Sequence, residues 1–272
     1  MVQKHVLNFI FSTLVIICIT TSVSLSQSGV CDWGGSEYSW SANFSGSKTA
    51  DIVSASAGKL FVYTSTKLDF FFRTDTVANL WGGSDYTWAA DFNGDGKTDI
   101  ASVNAGNVYM KLSTDNGFVS QTWKVPNNWG GSGYTWVGDF NGDKKADIAS
   151  ANGGNVYMNI SRGNSFSSST WTVPNIWGGP EYTWVADFDG DGKADIASAN
   201  GGNIYMNLST GSSFNSQTWT VPNSWGGSGY TWVRDFNGDG LADIASVSSC
   251  TIYMHLSLKD RFANEAWFAT KK

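Results

Sequence analysis

The sequence is poor in the residues on which most catalytic sites depend. It has two histidines and three cysteines, and glutamate occurs only at Glu37, Glu181 and Glu265. No Ser/His/Asp arrangement and no zinc-ligand spacing can be assembled from these residues. We therefore expect a protein that is not an enzyme. A hydrolase or lyase with paired carboxylates is the less favoured alternative.

Clusters of basic residues and helical periodicity are also absent. The formal net charge is −6, and phosphate binding requires clustered lysine and arginine, so nucleic acid is excluded as an expected partner. No segment repeats its apolar residues at the helical period of 3.6. The hydrophobic content of 41% argues against an intrinsically disordered chain.

The one long apolar run lies at the N-terminus. Lys4 precedes residues 6–23, VLNFIFSTLVIICITTSV, and Ser24-Leu25-Ser26 follows with small residues at both ends. This order predicts a signal peptide over 1–26, and therefore a secreted, extracellular protein over 27–272 with no membrane insertion after cleavage. A retained membrane anchor is the alternative, because the run is nearly long enough to span.

Abundant aromatic residues recur with a fixed period. The motif WGG begins at Trp33, Trp81, Trp129, Trp177 and Trp225, each 48 residues after the last. Five units therefore occupy residues 33–80, 81–128, 129–176, 177–224 and 225–272.

The third unit shows the internal pattern of every unit. Strands are predicted over 133–140 (A), 146–152 (B), 155–161 (C) and 169–173 (D), with Gly153-Gly154 as a hairpin turn. A four-stranded meander with a period of 40–50 residues is typical of a propeller blade. The sequence thus predicts an all-β, five-bladed β-propeller of four-stranded antiparallel blades. A linear β-solenoid is the alternative.

The meander also predicts what lies on each face of the propeller. Because successive strands reverse direction, the A–B and C–D loops share one face, and the B–C turns share the other with the WGG linkers. Cys31 and Cys250 both fall on the WGG face, in the first and last blades. We expect a disulfide between them that latches a closed ring. Two free thiols, or a catalytic nucleophile, are the alternatives.

Four A–B loops carry oxygen side chains at positions 1, 3, 5 and 9. Three or four carboxylates packed in one tight turn repel one another without a cation, and hard oxygen ligands suit calcium. We therefore expect about four Ca²⁺ sites. The candidate ligands are Asp91, Asn93, Asp95 and Asp99 in loop two; Asp139, Asn141, Asp143 and Asp147 in loop three; Asp187, Asp189, Asp191 and Asp195 in loop four; and Asp235, Asn237, Asp239 and Asp243 in loop five.

The pattern D-x-[DN]-x-D-G-x-x-D-[IL] between two strands resembles the calcium loop of FG-GAP, or VCBS-type, repeats. These repeats occur in integrin-α propellers and in propeller lectins, and the resemblance covers residues 33–272. It implies one structural Ca²⁺ in each A–B loop. Integrin-type rings have seven blades, whereas five units are present here.

Two loops depart from this pattern. Loop three has Lys144 where glycine is expected, which predicts a weaker site if the backbone needs a positive φ. Loop one offers only Asn43, Ser45, Ser47 and Asp51, so we expect it to bind no metal.

The WGG face is the candidate ligand-binding surface. An exposed indole can stack on a sugar ring while neighbouring amides bind its hydroxyls, and several such sites gain by avidity. The candidate residues are Trp81, Trp129, Trp177, Trp225, Asn104, Asn107, Asn152, Asn155, Asn200 and Asn203. We expect a monomeric, lectin-like protein that binds glycans or extracellular glycoproteins. Packing between blades is the alternative role for the tryptophans.

Two further expectations concern partners and modification. A propeller that mediates cell adhesion or extracellular protein contacts without binding sugar is the alternative function. The sequons at Asn43, Asn159 and Asn207 predict possible N-glycosylation.

Overall fold

The structure is a computed structural model that describes residues 38–77, 81–126, 129–174, 177–222, 228–248 and 251–268. The described residues form strands and short 3₁₀ turns. The strands in chain order are β1 Ser39–Ala42, β2 Asp51–Ser56, β3 Lys59–Ser65, β4 Phe70–Thr76, β5 Thr87–Ala90, β6 Asp99–Asn104, β7 Asn107–Thr114, β8 Gly117–Lys124, β9 Thr135–Gly138, β10 Asp147–Asn152, β11 Asn155–Ser161, β12 Phe166–Thr172, β13 Thr183–Ala186, β14 Asp195–Asn200, β15 Asn203–Ser209, β16 Phe214–Thr220, β17 Thr231–Arg234, β18 Asp243–Ser248, β19 Thr251–Ser257 and β20 Phe262–Phe268. The 3₁₀ turns are Ser84–Tyr86, Ser132–Tyr134, Pro180–Tyr182 and Ser228–Tyr230.

The strands form five sheets of four strands, each in simple sequential order. In the third blade β9, β10, β11 and β12 pair antiparallel, and Asn152 faces Asn155 across the tight B–C turn. The predicted all-β architecture of five four-stranded blades is confirmed.

Two of the predicted strands in the third blade have the wrong bounds. Strand A is shorter than predicted, because Ser132–Tyr134 forms a 3₁₀ turn and pairing starts at Thr135. Strand D begins at Phe166, three residues before the predicted start at Ser169, because the polar run Ser167–Thr170 pairs along β11. A solvent-facing edge strand carries little hydrophobic pattern, so its start is weakly encoded.

Packing is built on the alternation of side chains along the third strand of each blade. In β11, Val156, Met158 and Ile160 face the core, and Val156 and Met158 are fully buried there. This core continues to Ile196 in the fourth blade. The period of two therefore places one apolar row of each blade against its neighbour.

The chain divides into two compact units. The first contains the described part of the first blade, with residues 81–89, Gly96–Asn104 and Tyr109–Gln121 of the second. Its core is formed by Phe44, Val53, Ala55, Leu60, Val62 and Ile100. The second unit contains Ala90–Asp95, Ala105–Val108 and the described chain from Thr122 onward.

Regular contacts join successive blades within the second unit. The Ser161 hydroxyl donates to the Phe92 carbonyl at 2.6 Å, and the Ala146 amide donates to the Asp91 carbonyl at 2.7 Å. The same two bonds recur 48 and 96 residues later along the chain. Loops two, three and four are thus each tied through their backbone to the blade that follows.

Some predictions lie outside the described residues. These are the signal peptide over 1–26, the disulfide between Cys31 and Cys250, and the ligand role of Trp225. Within the described part of the chain, no helix is long and apolar enough to cross a membrane.

Candidate functional site

The first aspartate of each acidic loop organises the loop backbone. In loop four, Asp187 accepts hydrogen bonds from the amides of Gly190 (2.7 Å) and Gly192 (2.9 Å), one on each carboxylate oxygen. Asp139 in loop three and Asp235 in loop five accept the equivalent bonds. The loop is therefore folded by its own carboxylate.

The ninth-position aspartate is buried in all five blades. In loop three, Asp147 accepts the amide of Ser161 on Oδ1 (2.8 Å) and the amide of Phe140 on Oδ2 (3.0 Å). Asp51 in loop one is held by two amides in a similar way, from Ser65 and Ser45. Because loop one lacks the other acidic residues, this aspartate has a role in joining strands that does not depend on a metal.

Loop four has the densest set of acidic oxygens. One carboxylate oxygen from each of Asp187, Asp189 and Asp195 lies within 4.8 Å of the others. Burial, together with the nearby carboxylates of Asp189 and Asp187, raises the pKa of the Asp195 carboxyl to about 7, although hydrogen bonds from the backbone amides of Ser209 and Phe188 lower it. A pKa raised in this way shows that the surrounding protein groups alone do not fully stabilise the ionised carboxylate. The donor set fits a hard divalent cation such as Ca²⁺.

Two further loop features bear on the metal prediction. Lys145 and Lys193 reach back to the fifth-position aspartates of their own loops, with Nζ–Oδ2 distances of 2.9 Å to Asp143 and 2.6 Å to Asp191. Each ammonium neutralises part of its loop. Lys144 has φ of +68°, so this position does need a positive φ, and loop three carries the predicted backbone strain.

Loop one differs from the other four loops, whereas loop two repeats the hydrogen bonds of loops three to five. In loop two, Asp91 accepts the Gly94 amide at 2.6 Å, and Asn93 accepts the Asp95 amide at 2.9 Å. In loop one, hydroxyls take the place of carboxylates, and Ser45 Oγ donates to Ser47 Oγ at 2.8 Å. Neutral hydroxyls that satisfy one another do not need a cation.

On the opposite side of the blade, the WGG segment is pinned by a buried pair of hydroxyls. The amide of Gly130 donates to Ser150 Oγ at 2.7 Å, and Ser150 Oγ lies 2.7 Å from Thr135 Oγ1. A Cβ on Gly130 would lie 1.9 Å from the Ala151 carbonyl oxygen. The same contacts recur in the second and fourth blades. Only glycine fits there, which explains the first Gly of the motif in the second, third and fourth blades.

Two open clefts follow this segment in the second unit. The first has a volume of about 580 Å³ and is lined by Trp129, Gly130, Gly131, Tyr134, Ala151, Asn152, Gly153 and Trp177. The second, of about 400 Å³, is lined by Trp177, Gly178, Gly179, Glu181, Tyr182, Ala199, Asn200 and Gly201. They are successive copies of one arrangement, and both combine WGG with the B–C turn, as the meander predicted.

Trp177 both lines the two clefts and packs between blades. Trp177 is half-buried, and its ring centroid lies 5.8 Å from that of Trp136 and 6.3 Å from that of Tyr134. Its indole N–H donates to the Gly153 carbonyl at 3.0 Å. The indole is therefore held rigidly, with part of its surface in the clefts. Trp81 and Trp129 are also half-buried.

The predicted asparagines do not all reach the clefts. Asn152 and Asn200, the first in each turn, are exposed and line them. The second asparagine is directed elsewhere in two blades, because Asn107 accepts from Lys124 Nζ at 2.7 Å and Asn203 accepts from Thr220 Oγ1 at 3.5 Å. The remaining two are the exposed Asn104 and Asn155, which line neither of the two clefts.

Three cleft residues were missed at the sequence level, namely Tyr134, Tyr182 and Glu181. The tyrosine of the repeated Y-T-W sequence recurs every 48 residues, and this recurrence beside each WGG motif could have identified the tyrosines as cleft residues. Tyr134 OH donates to the Gly178 carbonyl at 2.9 Å. Burial raises the Tyr134 pKa, and the Glu181 carboxylate raises it further.

Glycosylation at two of the three predicted sequons conflicts with the structure. Asn159 and Asn207 are 3% and 4% exposed, and each accepts a 2.6 Å hydrogen bond from a serine hydroxyl of the adjacent strand. The folded blade leaves no room there for a glycan. Asn43 is half-buried, and its modification stays a prediction.

A protein-family model described as FG-GAP-like repeat matches residues 91–150, 139–198 and 187–246. The three matches overlap and together cover more than half of the chain. No curated protein matches the sequence.

Solved structures share the fold. A lectin from Agrocybe aegerita that specifically recognises non-reducing terminal N-acetylglucosamine has a TM-score of 0.68 and 20% identity, over 85% of this chain and 66% of the lectin. The Photorhabdus luminescens Tc holotoxin pore has a TM-score of 0.57 and 13% identity, over 88% of this chain but 12% of that one. The chain thus spans just under two thirds of the lectin. At such low identity these likenesses establish the propeller fold alone.

Proposed function

Because the chain belongs to the FG-GAP-like repeat family, we propose that it is an extracellular propeller that binds carbohydrate through its WGG clefts. The observation that carries this proposal is the repeated cleft of indole, tyrosine and exposed asparagine. A fixed aromatic surface supplies stacking, and the asparagine supplies hydrogen bonds to hydroxyls.

The proposed ligand is a saccharide with terminal N-acetylglucosamine. Support comes from the likeness to a lectin that recognises this sugar, together with clefts of suitable volume for one or two sugar residues. The backbone carbonyls around Gly153 and the Asn152 amide are suited to the N–H and carbonyl of an acetamido group.

The proposed role of calcium is structural. Loops three, four and five would each hold one ion through the side chains at positions 1, 3, 5 and 9, with loop two as a fourth site. A bound ion would compensate the charge of the crowded carboxylates and fix each A–B loop. Secretion is part of the same proposal, since extracellular calcium is present at the millimolar level that fills even weak sites.

A glycan array run with and without EDTA tests the proposal. We expect retention of N-acetylglucosamine-terminated glycans in calcium, and weaker retention by the double variant Asn152→Ala/Asn200→Ala. Asn164→Ala is the matched control, because Asn164 is exposed in a C–D turn on the opposite side of the blade.

Two outcomes would contradict carbohydrate binding through the WGG clefts. The first is retention of no glycan at micromolar protein, which would favour the alternative of a propeller that contacts other proteins. The second is equal retention by the cleft variant and the wild type, which would show that the glycan binds outside the clefts.

A further inference from the structure

The two clefts differ by one charged side chain. Glu181 lines the second cleft, whereas the equivalent residue 48 positions earlier is Gly133. Pro180 packs closely over Gly133, where an added Cβ would lie 2.5 Å from the proline Cβ. The first cleft therefore has no space for an acidic side chain at this position, and all of its lining residues are uncharged.

Glu181 is held at the edge of its cleft without a cation beside it. The side chain is half-buried and folds over Gly179, where an added Cβ would lie 2.5 Å from Oε1. Within the described residues, its carboxylate makes no ion pair and no side-chain hydrogen bond. A half-buried carboxylate with no bonded partner has both oxygens available to a ligand.

The surroundings of Glu181 make the second cleft electronegative. Its other lining residues are tryptophan, tyrosine, asparagine, alanine and glycine, none of which carries charge at neutral pH. The fourth unit, residues 177–224, has one basic residue, Lys193, and it is bonded to Asp191 in the acidic loop at the far end of the blade. Among the described residues of this blade, none neutralises the carboxylate.

We propose that the second cleft, in addition to neutral saccharides, takes saccharides with a free, protonated amino group and binds these more tightly, whereas the first cleft gains nothing from that charge. An ammonium beside ring hydroxyls can form a charge-assisted hydrogen bond with Glu181. N-acetylation of the same amine removes the charge and adds bulk. This inference rests on the carbohydrate-binding function proposed above, and it concerns the specificity of that site.

The test compares binding of a glucosamine trisaccharide with binding of its fully N-acetylated form. Both are titrated calorimetrically against the wild type and Glu181→Gln, at low and high salt. We expect Glu181→Gln to weaken binding of the glucosamine trisaccharide about tenfold, which corresponds to about 1.4 kcal/mol, and to leave the N-acetylated form unchanged. High salt should weaken only the charged ligand.

Asp260→Asn is the matched control. It removes the same charge from an exposed C–D turn outside the cleft. The inference is overturned if both variants weaken the charged ligand equally, because net charge would then explain the effect. It is also overturned, with the proposed function left standing, if the N-acetylated trisaccharide binds and the glucosamine form is not weakened by Glu181→Gln. Failure of both ligands to bind would overturn the proposed function as well.

Discussion

At the scale of single residues, the structure of each repeat depends on small side chains that have no evident role in the sequence. The buried Ser150 and Thr135 hydroxyls satisfy the backbone of the WGG segment, and Gly130 leaves space for the Ala151 carbonyl. A buried amide without its acceptor costs stability, so these small residues matter as much as the aromatic ones.

The two glycines of WGG should respond differently to substitution. Gly130→Ala should lower the free energy of unfolding by about 1–3 kcal/mol, because its Cβ overlaps a backbone carbonyl. Gly131→Ala is the control, since Gly131 has φ of −64° and nothing lies within 4 Å of an added Cβ. Urea unfolding measures both changes. Equal stability of the two variants would show that the close approach at Gly130 is not what fixes the motif.

At the scale of the blade, the acidic loop has two separable parts. The ninth aspartate joins strands through backbone amides in every blade, including the first, whose loop has hydroxyls in place of the other carboxylates. In loops two to five, we propose that the side chains at positions 1, 3 and 5 add a calcium site to which this aspartate also contributes. Sequence spacing alone could not separate the two, because the same aspartate suits both roles.

Variants in loops one and four should separate these roles. Asp51→Asn should lower the melting temperature by a similar amount in calcium and in EDTA, since it loses charge-assisted bonds to two amides. Asp187→Asn should instead reduce the increase in melting temperature that millimolar calcium gives the wild type. A wild-type melting temperature that EDTA does not change would contradict the calcium proposal.

The sequence predicts much of the blade and less of its site. Period and alternation were sufficient for five four-stranded sheets, and the Gly153-Gly154 turn was placed correctly. The start of β12 was missed because an exposed edge strand of serines has no apolar pattern. Tyr134 was missed because its role depends on contact with the next blade, which periodicity does not report. Glu181 was missed because the third unit has glycine at the equivalent position, so the repeat does not mark it.

At the scale of the whole molecule, repetition of the cleft is what would give the protein a high affinity for a multivalent glycan surface. The same cleft appears twice in the second unit, with Trp177 shared between the two copies. Two or more weak sites on one rigid scaffold bind a multivalent surface far more tightly than one site does. The account therefore requires that a single chain bind more than one saccharide.

Equilibrium dialysis of the calcium-loaded protein against a labelled N-acetylglucosamine disaccharide tests this requirement most directly. The account predicts at least two bound ligands per chain at saturation, and fewer for Asn152→Ala/Asn200→Ala. Saturation at one ligand per chain, or no binding at all, would contradict it.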